Sequence, residues 1–283
     1  MHKHAIEEII FKILMTISCL LVISALLLIL GTILYKGLPY LSWPMVTQVP
    51  QSGYYLGKGG GILNSILGSL YLTGGATFLA FIMSLPITLY LNIYAKKNSR
   101  LVYLIRFSFD VLWGIPSIVY GAFGFMLMFF LGLKASLLAG MITMTFLILP
   151  IMMRTMDEVI RMVPPALLEA SYALGATRLE TALRVVVRQA LPGISTAILI
   201  SFGRGIGDAA SLIFTAGFTD SLPTSLFQPV ASLPLTIFFQ FSSPLPEVQG
   251  RAYAAALILT IIILGISIVS RFLTKRFTRN IVR

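Results

Sequence analysis

The chain alternates long apolar runs with short polar stretches. Crossing the roughly 30 Å hydrocarbon core of a bilayer takes about 20 helical residues. Runs of that length fall at 13–35, 64–94, 111–133, 135–153, 192–217 and 252–273. The pattern predicts an all-α membrane protein with six transmembrane helices, a transmembrane domain over 13–273, an amino-terminal tail at 1–12 and a basic tail at 274–283. The first run follows Lys3 and Lys12 as a secretory signal would, but it is too long and no small-x-small cleavage site follows it. It is therefore expected to be an uncleaved anchor.

Composition agrees with this solvent. With 57% hydrophobic residues, 11% charged residues and a mean hydropathy of +0.92, the chain has too few charges to cover a water-soluble surface. The net charge of +11 raises the question of nucleic acid, but its distribution answers it. If the amino terminus is inside, the inner segments carry Lys3, Lys12, Lys96, Lys97, Arg100, Arg106, Arg154, Arg161, Arg178, Arg184, Arg188, Arg271, Lys275, Arg276, Arg279 and Arg283, which is 16 of the 21 basic residues. The outer segments hold Lys36, Lys58, Lys134 and Arg251. Basic residues on one side of short loops are a topology signal, so both termini are placed in the cytoplasm and no nucleic acid partner is expected. Cys19 is the single cysteine and excludes an internal disulfide, and no Cys/His cluster has metal-ligand spacing.

Two outer loops are long, 36–63 and 218–250. GYYLGKGG at 53–60 resembles a phosphate-binding loop superficially, but Gly53 to Gly57 is one residue short of that motif, no Ser or Thr follows Lys58, and the segment lies on the wrong side for ATP. It is read as a turn. The large inner segment 154–191 holds more: Pro164 and Pro165 suit a helix start, 166–174 is rich in helix formers, and Gly175 suits a left-handed stop. A second helical stretch from about Arg178 carries Arg184 and Arg188 before Pro192 opens the fifth run. A short helix is thus held out on the cytoplasmic surface, either as an amphipathic segment resting on lipid headgroups or as a docking element.

The fifth run contains SFGRGIGDAASLIF at 201–214, with an arginine and an aspartate four residues apart. Counting about 1.5 Å per residue from Pro192 puts Arg204 roughly 18 Å along the span, close to the middle of the bilayer. There a charged side chain needs a partner or a watery cavity. Asp208, four residues on, is expected on the same helix face and able to pair with Arg204, with Ser201, Ser211 and Thr215 on the same stripe, and Gly203, Gly205 and Gly207 leave room for a close neighbour or a break. Two readings stand: a permanent salt bridge locking the helix against a partner, or a forked donor for a tetrahedral oxyanion with Asp208 holding or releasing it. Ser117, after Pro116, offers either a hydroxyl to an anion or a simple kink, and Asn64 reads as a helix cap.

EASYALGATRLETALRVVVRQALPGI at 169–194 resembles the EAA loop of ABC-importer permeases, with its elements on Glu169, Ala170, Ser171, Gly175, Leu191 and Pro192. GGGILNSILGSLYLT at 59–73, IPSIVYGAFG at 115–124 and GRGIGDAASLIFTAG at 203–217 narrow the resemblance to the PstA-type permease family of phosphate-specific ABC importers. The resemblance implies a type I importer permease fold with core 59–273 and coupling loop 154–191, in which the short helix docks into a cytoplasmic ATPase. It implies a non-catalytic subunit that translocates inorganic phosphate across the inner membrane, binds no cofactor and leaves ATP hydrolysis to the partner ATPase. The partners it implies are a PstC-type permease, a PstB-type ATPase dimer, an extracytoplasmic phosphate-binding protein and membrane lipid. The family run is usually G-R-x-x-G-E-T-A-P. Arg204 matches its arginine, Asp208 stands at the glutamate, and Ala209, Ala210 and Ser211 depart from the rest. These departures keep molybdate, tungstate, sulfate and phosphonate as alternative cargoes. An ion-coupled carrier and a membrane enzyme are the alternatives from other classes.

Overall fold

The structure, a computed structural model, describes residues 2–51, 59–96 and 99–278. Helix α1 (His2–Gly37) is followed by the short α2 (Trp43–Thr47), and α3 (Leu63–Leu89) continues into a π-helical turn at Tyr90–Tyr94. Then come α4 (Arg100–Trp113), α5 (Ser117–Phe130), α6 (Leu137–Arg161) and the short α7 (Pro165–Ala173). One continuous helix of 29 residues, Arg178–Ile206, is built from α8 (Arg178–Glu180), a π-helical stretch Thr181–Val186 and α9 (Val187–Ile206). The chain ends with α10 (Leu233–Phe241) and α11 (Pro246–Thr278). The proposed turn at 53–60 falls largely outside the described residues, as do the side chains of the basic tail.

Five helices are long and apolar enough to span a bilayer, and α4 with α5 makes a sixth crossing only as a pair bent by 105°. The third run at 111–133 is therefore not a straight span. Pro116 has no N–H to donate and keeps Ile115 out of the helical region. The break is closed again by Val119 N–H donating to the Pro116 carbonyl at 3.0 Å and by the Tyr120 hydroxyl donating to the Leu112 carbonyl at 2.8 Å. The fourth span runs eight residues past 153, because Arg154 pairs with Glu158 at 2.9 Å and Arg161 with Asp157 at 3.4 Å, each one helical turn apart. The fifth helix starts at Arg178, not at Pro192, and stops at Ile206, not at 217. Much of the inner segment 154–191 is accordingly helix.

Helix α6 lies at the centre, against α3, α4, α5 and α9. The core between them is apolar and thin, with Leu72, Ala76 and Ala80 of α3 facing Met144, Ile148 and Met152 of α6. Helix α1 packs chiefly on α11, with Gly37 against the Tyr253 backbone, while most of its apolar side chains are exposed. In a bilayer those side chains meet lipid.

The segment after the fifth helix folds back into the outer end of the bundle. Val230 N–H donates to the Ala216 carbonyl at 2.9 Å, Leu137 N–H to the Gln228 carbonyl at 2.8 Å, and Leu233 N–H to the Ser69 hydroxyl at 2.7 Å. Asn64 is buried and is not a cap. Its amide donates to the Thr219 carbonyl at 2.7 Å and fixes the outer end of α3 to this segment.

At the inner end one carboxylate gathers three elements. Asp157 of α6 is 1% exposed. It accepts from Arg106 of α4 at 2.9 and 3.0 Å and from the Asn92 amide of the π-helical turn at 2.7 Å. Breaking a buried ion pair by removing one partner costs about 3–5 kcal/mol, and the low end applies because Arg106 and Arg161 keep 22% and 44% of their side chains exposed. Asp157→Ala should therefore lower unfolding stability by about 3 kcal/mol, read by denaturant titration of the purified protein. A change below about 0.5 kcal/mol would leave the cluster without a structural role.

Candidate functional site

The run 201–217 does not continue as one helix. Helix α9 ends at Ile206, Gly207 caps it, and the chain turns tightly through 208–216. Three alternate glycines lower helix propensity here, and an aspartate competes for backbone donors. The Asp208 carboxylate accepts the Ser211 N–H at 2.8 Å, and the Asp208 N–H donates to the Gly205 carbonyl at 3.1 Å. The expectation that Arg204 and Asp208 share a helix face is thus corrected. Asp208 is 5% exposed and holds the turn, whereas Arg204 is exposed on the outside of the bundle. No ion pair joins them, and Arg204 has no hydrogen-bond or ionic partner among the described residues.

The depth of Arg204 follows from its neighbour. A Cβ on Gly205 would meet Met144 at 3.2 Å and Ile148 at 3.4 Å, positions 7 and 11 residues from the outer start of α6. At about 1.5 Å per residue this is roughly 10–16 Å into the span. A Cβ on Gly203, in contrast, meets nothing within 4 Å. Gly203 and Arg204 therefore present an open face at mid-membrane depth.

The serines of the expected polar stripe lie elsewhere. Ser201 and Ser211 are fully buried, and neither hydroxyl has a partner among the described residues, while the Thr215 hydroxyl donates to the Ser211 carbonyl at 3.3 Å. They line the protein interior and not the surface that carries Arg204. Helix α3 adds buried hydroxyls without partners at Thr73, Thr77 and Ser84. Ser65, Ser69, Thr73 and Thr77, which were not among the expected site residues, are spaced four apart, a pattern in the sequence that places them on one face of α3. Ser117 is the first residue of α5 and half-exposed. One turn further on, Gly121 lets α5 approach the carbonyls of Ala210 and Ser211, which a Cβ would meet at 2.8 and 3.1 Å. Ser117 thus lies one helical turn from the break in the fifth span.

The second candidate region is on the inner side. Pro165 opens α7, and a Schellman arrangement closes it: Gly175 N–H donates to the Tyr172 carbonyl at 2.9 Å and Ala176 N–H to the Ser171 carbonyl at 3.1 Å. Gly175 takes φ +82°. Ser171 faces inward, its hydroxyl 2.9 Å from that of buried Thr181, so a small polar residue fastens α7 to the π-helical stretch. Glu169 and Ala170 are exposed with Tyr172, and Leu174 is 89% exposed. Thr177 and Glu180 then form a capping box that starts the next helix. The Thr177 backbone and hydroxyl donors hold the Glu180 carboxyl below the usual carboxylate range. A depressed pKa gives stability at neutral pH that is lost only as pH falls through the lowered value.

The sequence pattern of the family described as "Binding-protein-dependent transport system inner membrane component" matches residues 84–283. The phosphate transport system permease protein PstA of Haemophilus influenzae is 32% identical over 243 residues, covering 86% of this chain and 85% of its own length. PstA of Xylella fastidiosa is 32% identical over 268 residues, covering 92% and 91%. Among solved structures, a chain of the inward-facing MetNI methionine ABC transporter aligns with TM-score 0.64 at 19% identity, covering 76% of this chain and 95% of its own. A chain of a bacterial alginate ABC transporter aligns with TM-score 0.63 at 15% identity, covering 94% and 95%. The fold is that of ABC importer permeases.

The open space around Gly175 makes its conformation the only constraint on substitution. The left-handed region costs a non-glycine residue about 1–2 kcal/mol, so Gly175→Val should speed amide exchange at Gly175 and Ala176 positions about 5- to 30-fold. Gly203→Ala, with open space and helical φ, should leave exchange unchanged. Equal exchange in both variants would remove the helix stop.

Proposed function

The chain belongs to the binding-protein-dependent transport system inner membrane components, in the branch of the PstA phosphate permeases, and from that membership we propose how it moves its cargo. It is a non-catalytic membrane subunit of an importer for inorganic phosphate. The observation that carries the site is the exposed Arg204 without a partner at mid-membrane depth. A charged guanidinium facing hydrocarbon costs several kcal/mol, so its face is completed by a second, PstC-type permease. Between the two permeases a polar cavity holds the anion. The planar fork of Arg204 then donates two hydrogen bonds to a tetrahedral oxyanion.

Asp208 acts by position. Its carboxylate fixes the turn 208–211 through the Ser211 N–H, and this sets the end of α9 from which Arg204 projects. Ser117, at the start of α5, supplies a hydroxyl and free helix N–H groups near the same break. The buried hydroxyls of Ser201 and Ser211 have unused hydrogen-bonding capacity inside the bundle. They enter the pathway if α9 shifts against α3.

On the inner side, two copies of a PstB-type ATPase would receive α7, and the exposed Leu174 beside Glu169 and Ala170 supports this. Leu174 is an apolar side chain on a cytoplasmic surface, the kind of residue that a partner cleft covers. Closure of the ATPases would push α7, and Ser171 and Thr181 would pass the displacement to the helix that carries Arg204. ATP is hydrolysed in those partners, and the proposal asks this chain for no cofactor. An extracytoplasmic phosphate-binding protein would dock on the outer loops, where a cavity of about 660 Å³ opens between Pro50 and the segment at Thr219–Pro229. Both termini are placed inside by the basic residues of the inner loops.

The test is ATP-dependent uptake of labelled phosphate by proteoliposomes holding the chain with its partner permease, ATPase and binding protein. Arg204→Gln should reduce uptake at least tenfold while the complex still assembles, about 1.4 kcal/mol of lost stabilisation. Arg204→Lys, which keeps the charge without the fork, should retain part of it. Uptake in Arg204→Gln equal to wild type would overturn the site. Sulfate, molybdate or phosphonate displacing labelled phosphate would move the cargo assignment to the departures at Asp208–Ser211.

A further inference from the structure

A cavity of about 340 Å³ lies at the inner end of the bundle, beneath α7, and nothing in the transport cycle proposed above uses it. Its walls come from five elements. Asn92 belongs to the π-helical turn after α3, Arg106 to α4, Arg161 to α6, Pro165 and Leu168 to α7, and Val186 to the π-helical stretch before α9. Both π-helical segments of the described chain border it. Such segments distort the helix ladder and concentrate at functional sites.

The electrostatics of the cavity are unbalanced. Its described lining includes two arginines and no carboxylate. The nearest counter-charge, Asp157, is 1% exposed and already engaged by Asn92 at 2.7 Å and by Arg106 at 2.9 and 3.0 Å. Arg161 approaches it through Nε at 3.4 Å, and neither terminal NH2 group of Arg161 nor Nη1 of Arg106 has a hydrogen-bond partner among the described residues. One net positive charge remains, with forked donors at the level where α6 leaves the membrane. The rest of the lining is apolar, and the volume is within the range of small-molecule sites of about 300–1,000 Å³.

We propose that this cavity binds a phosphate group on the cytoplasmic side, held by Arg161 and Arg106, and that its occupancy restrains α7 against the bundle. Two sources present that chemistry: the phosphodiester of an anionic phospholipid, whose glycerol and upper acyl carbons suit the apolar wall, and free phosphate ion accompanied by water. Either would bridge α4 and α6 to α7 and so stiffen the helix that meets the ATPase. The inference does not rest on the cargo assigned to Arg204.

Hydrogen exchange of the assembled complex in nanodiscs tests it, with amides at 90–94, 160–168 and 181–186 as the readout. One arm compares neutral phosphatidylcholine with the same lipid containing phosphatidylglycerol, and the other adds inorganic phosphate to neutral discs. Slowing of at least threefold in the first arm identifies the lipid, and in the second arm the free ion. Arg161→Gln should abolish the slowing, while Arg204→Gln should leave it intact. If Arg161→Gln fails to assemble, Leu168→Trp fills the cavity from α7 with both arginines present and should also abolish the slowing. No slowing in wild type, slowing that survives both cavity variants, or slowing spread evenly over all cytoplasmic segments would overturn the proposal.

Discussion

Hydrocarbon offers no hydrogen bonds, so each backbone group within the bilayer must find its partner inside the protein. That constraint decides where this chain is able to leave the helical path. It does so at 114–116, where the Tyr120 hydroxyl reaches back to the Leu112 carbonyl, and at 207–216, where the Asp208 carboxylate receives the Ser211 N–H. It does so again at 217–232, where Ser69, Ala216 and the start of α6 take up the irregular segment. The turn at 207–216 is pressed most firmly into the bundle, with Asp208, Ser211, Leu212, Thr215 and Ala216 all buried. The small residues of that bundle are therefore as necessary as its large ones. Gly121, for instance, allows α5 close enough to cover the turn at 210–211.

Five crossings and their order were legible because they depend on length and apolarity, which a sequence displays directly, whereas the expected third is part of a bent pair. Their ends were not. Hydropathy places the end of the fourth span at the first charges after 153, yet Arg154 with Glu158 and Asp157 with Arg161 satisfy one another along α6 and carry the helix on. Pro116 is compatible with a kink or a full break, and only the Tyr120 contact and the packing of α5 select the 105° bend. In Pro192 the same residue type has the opposite outcome, since it sits inside α9.

The short helix α7 was legible for a different reason: proline at a helix start and glycine at its stop are backbone chemistry and need no tertiary context. The pairing of Arg204 with Asp208 was misread because spacing implies a shared face only on an unbroken helix. The three glycines that were noticed are the reason it breaks. Asp157 was overlooked altogether, because one acid among many basic residues reads as an ordinary inner-loop charge. Its partners Asn92 and Arg106 are 65 and 51 positions away, and no local pattern announces them.

The stop at Gly175 gives the inner surface an unusual division of labour. The end of α7 is fixed by two backbone hydrogen bonds and one left-handed residue, with no side chain packed on the glycine. Its anchor, Ser171 on Thr181, is on the inward face. The outward residues, Glu169, Ala170, Tyr172 and Leu174, make no side-chain hydrogen bond or ion pair among the described residues. What α7 presents outward is therefore physically separable from what makes it fold: the scaffold beneath is held by the backbone stop and the Ser171–Thr181 contact.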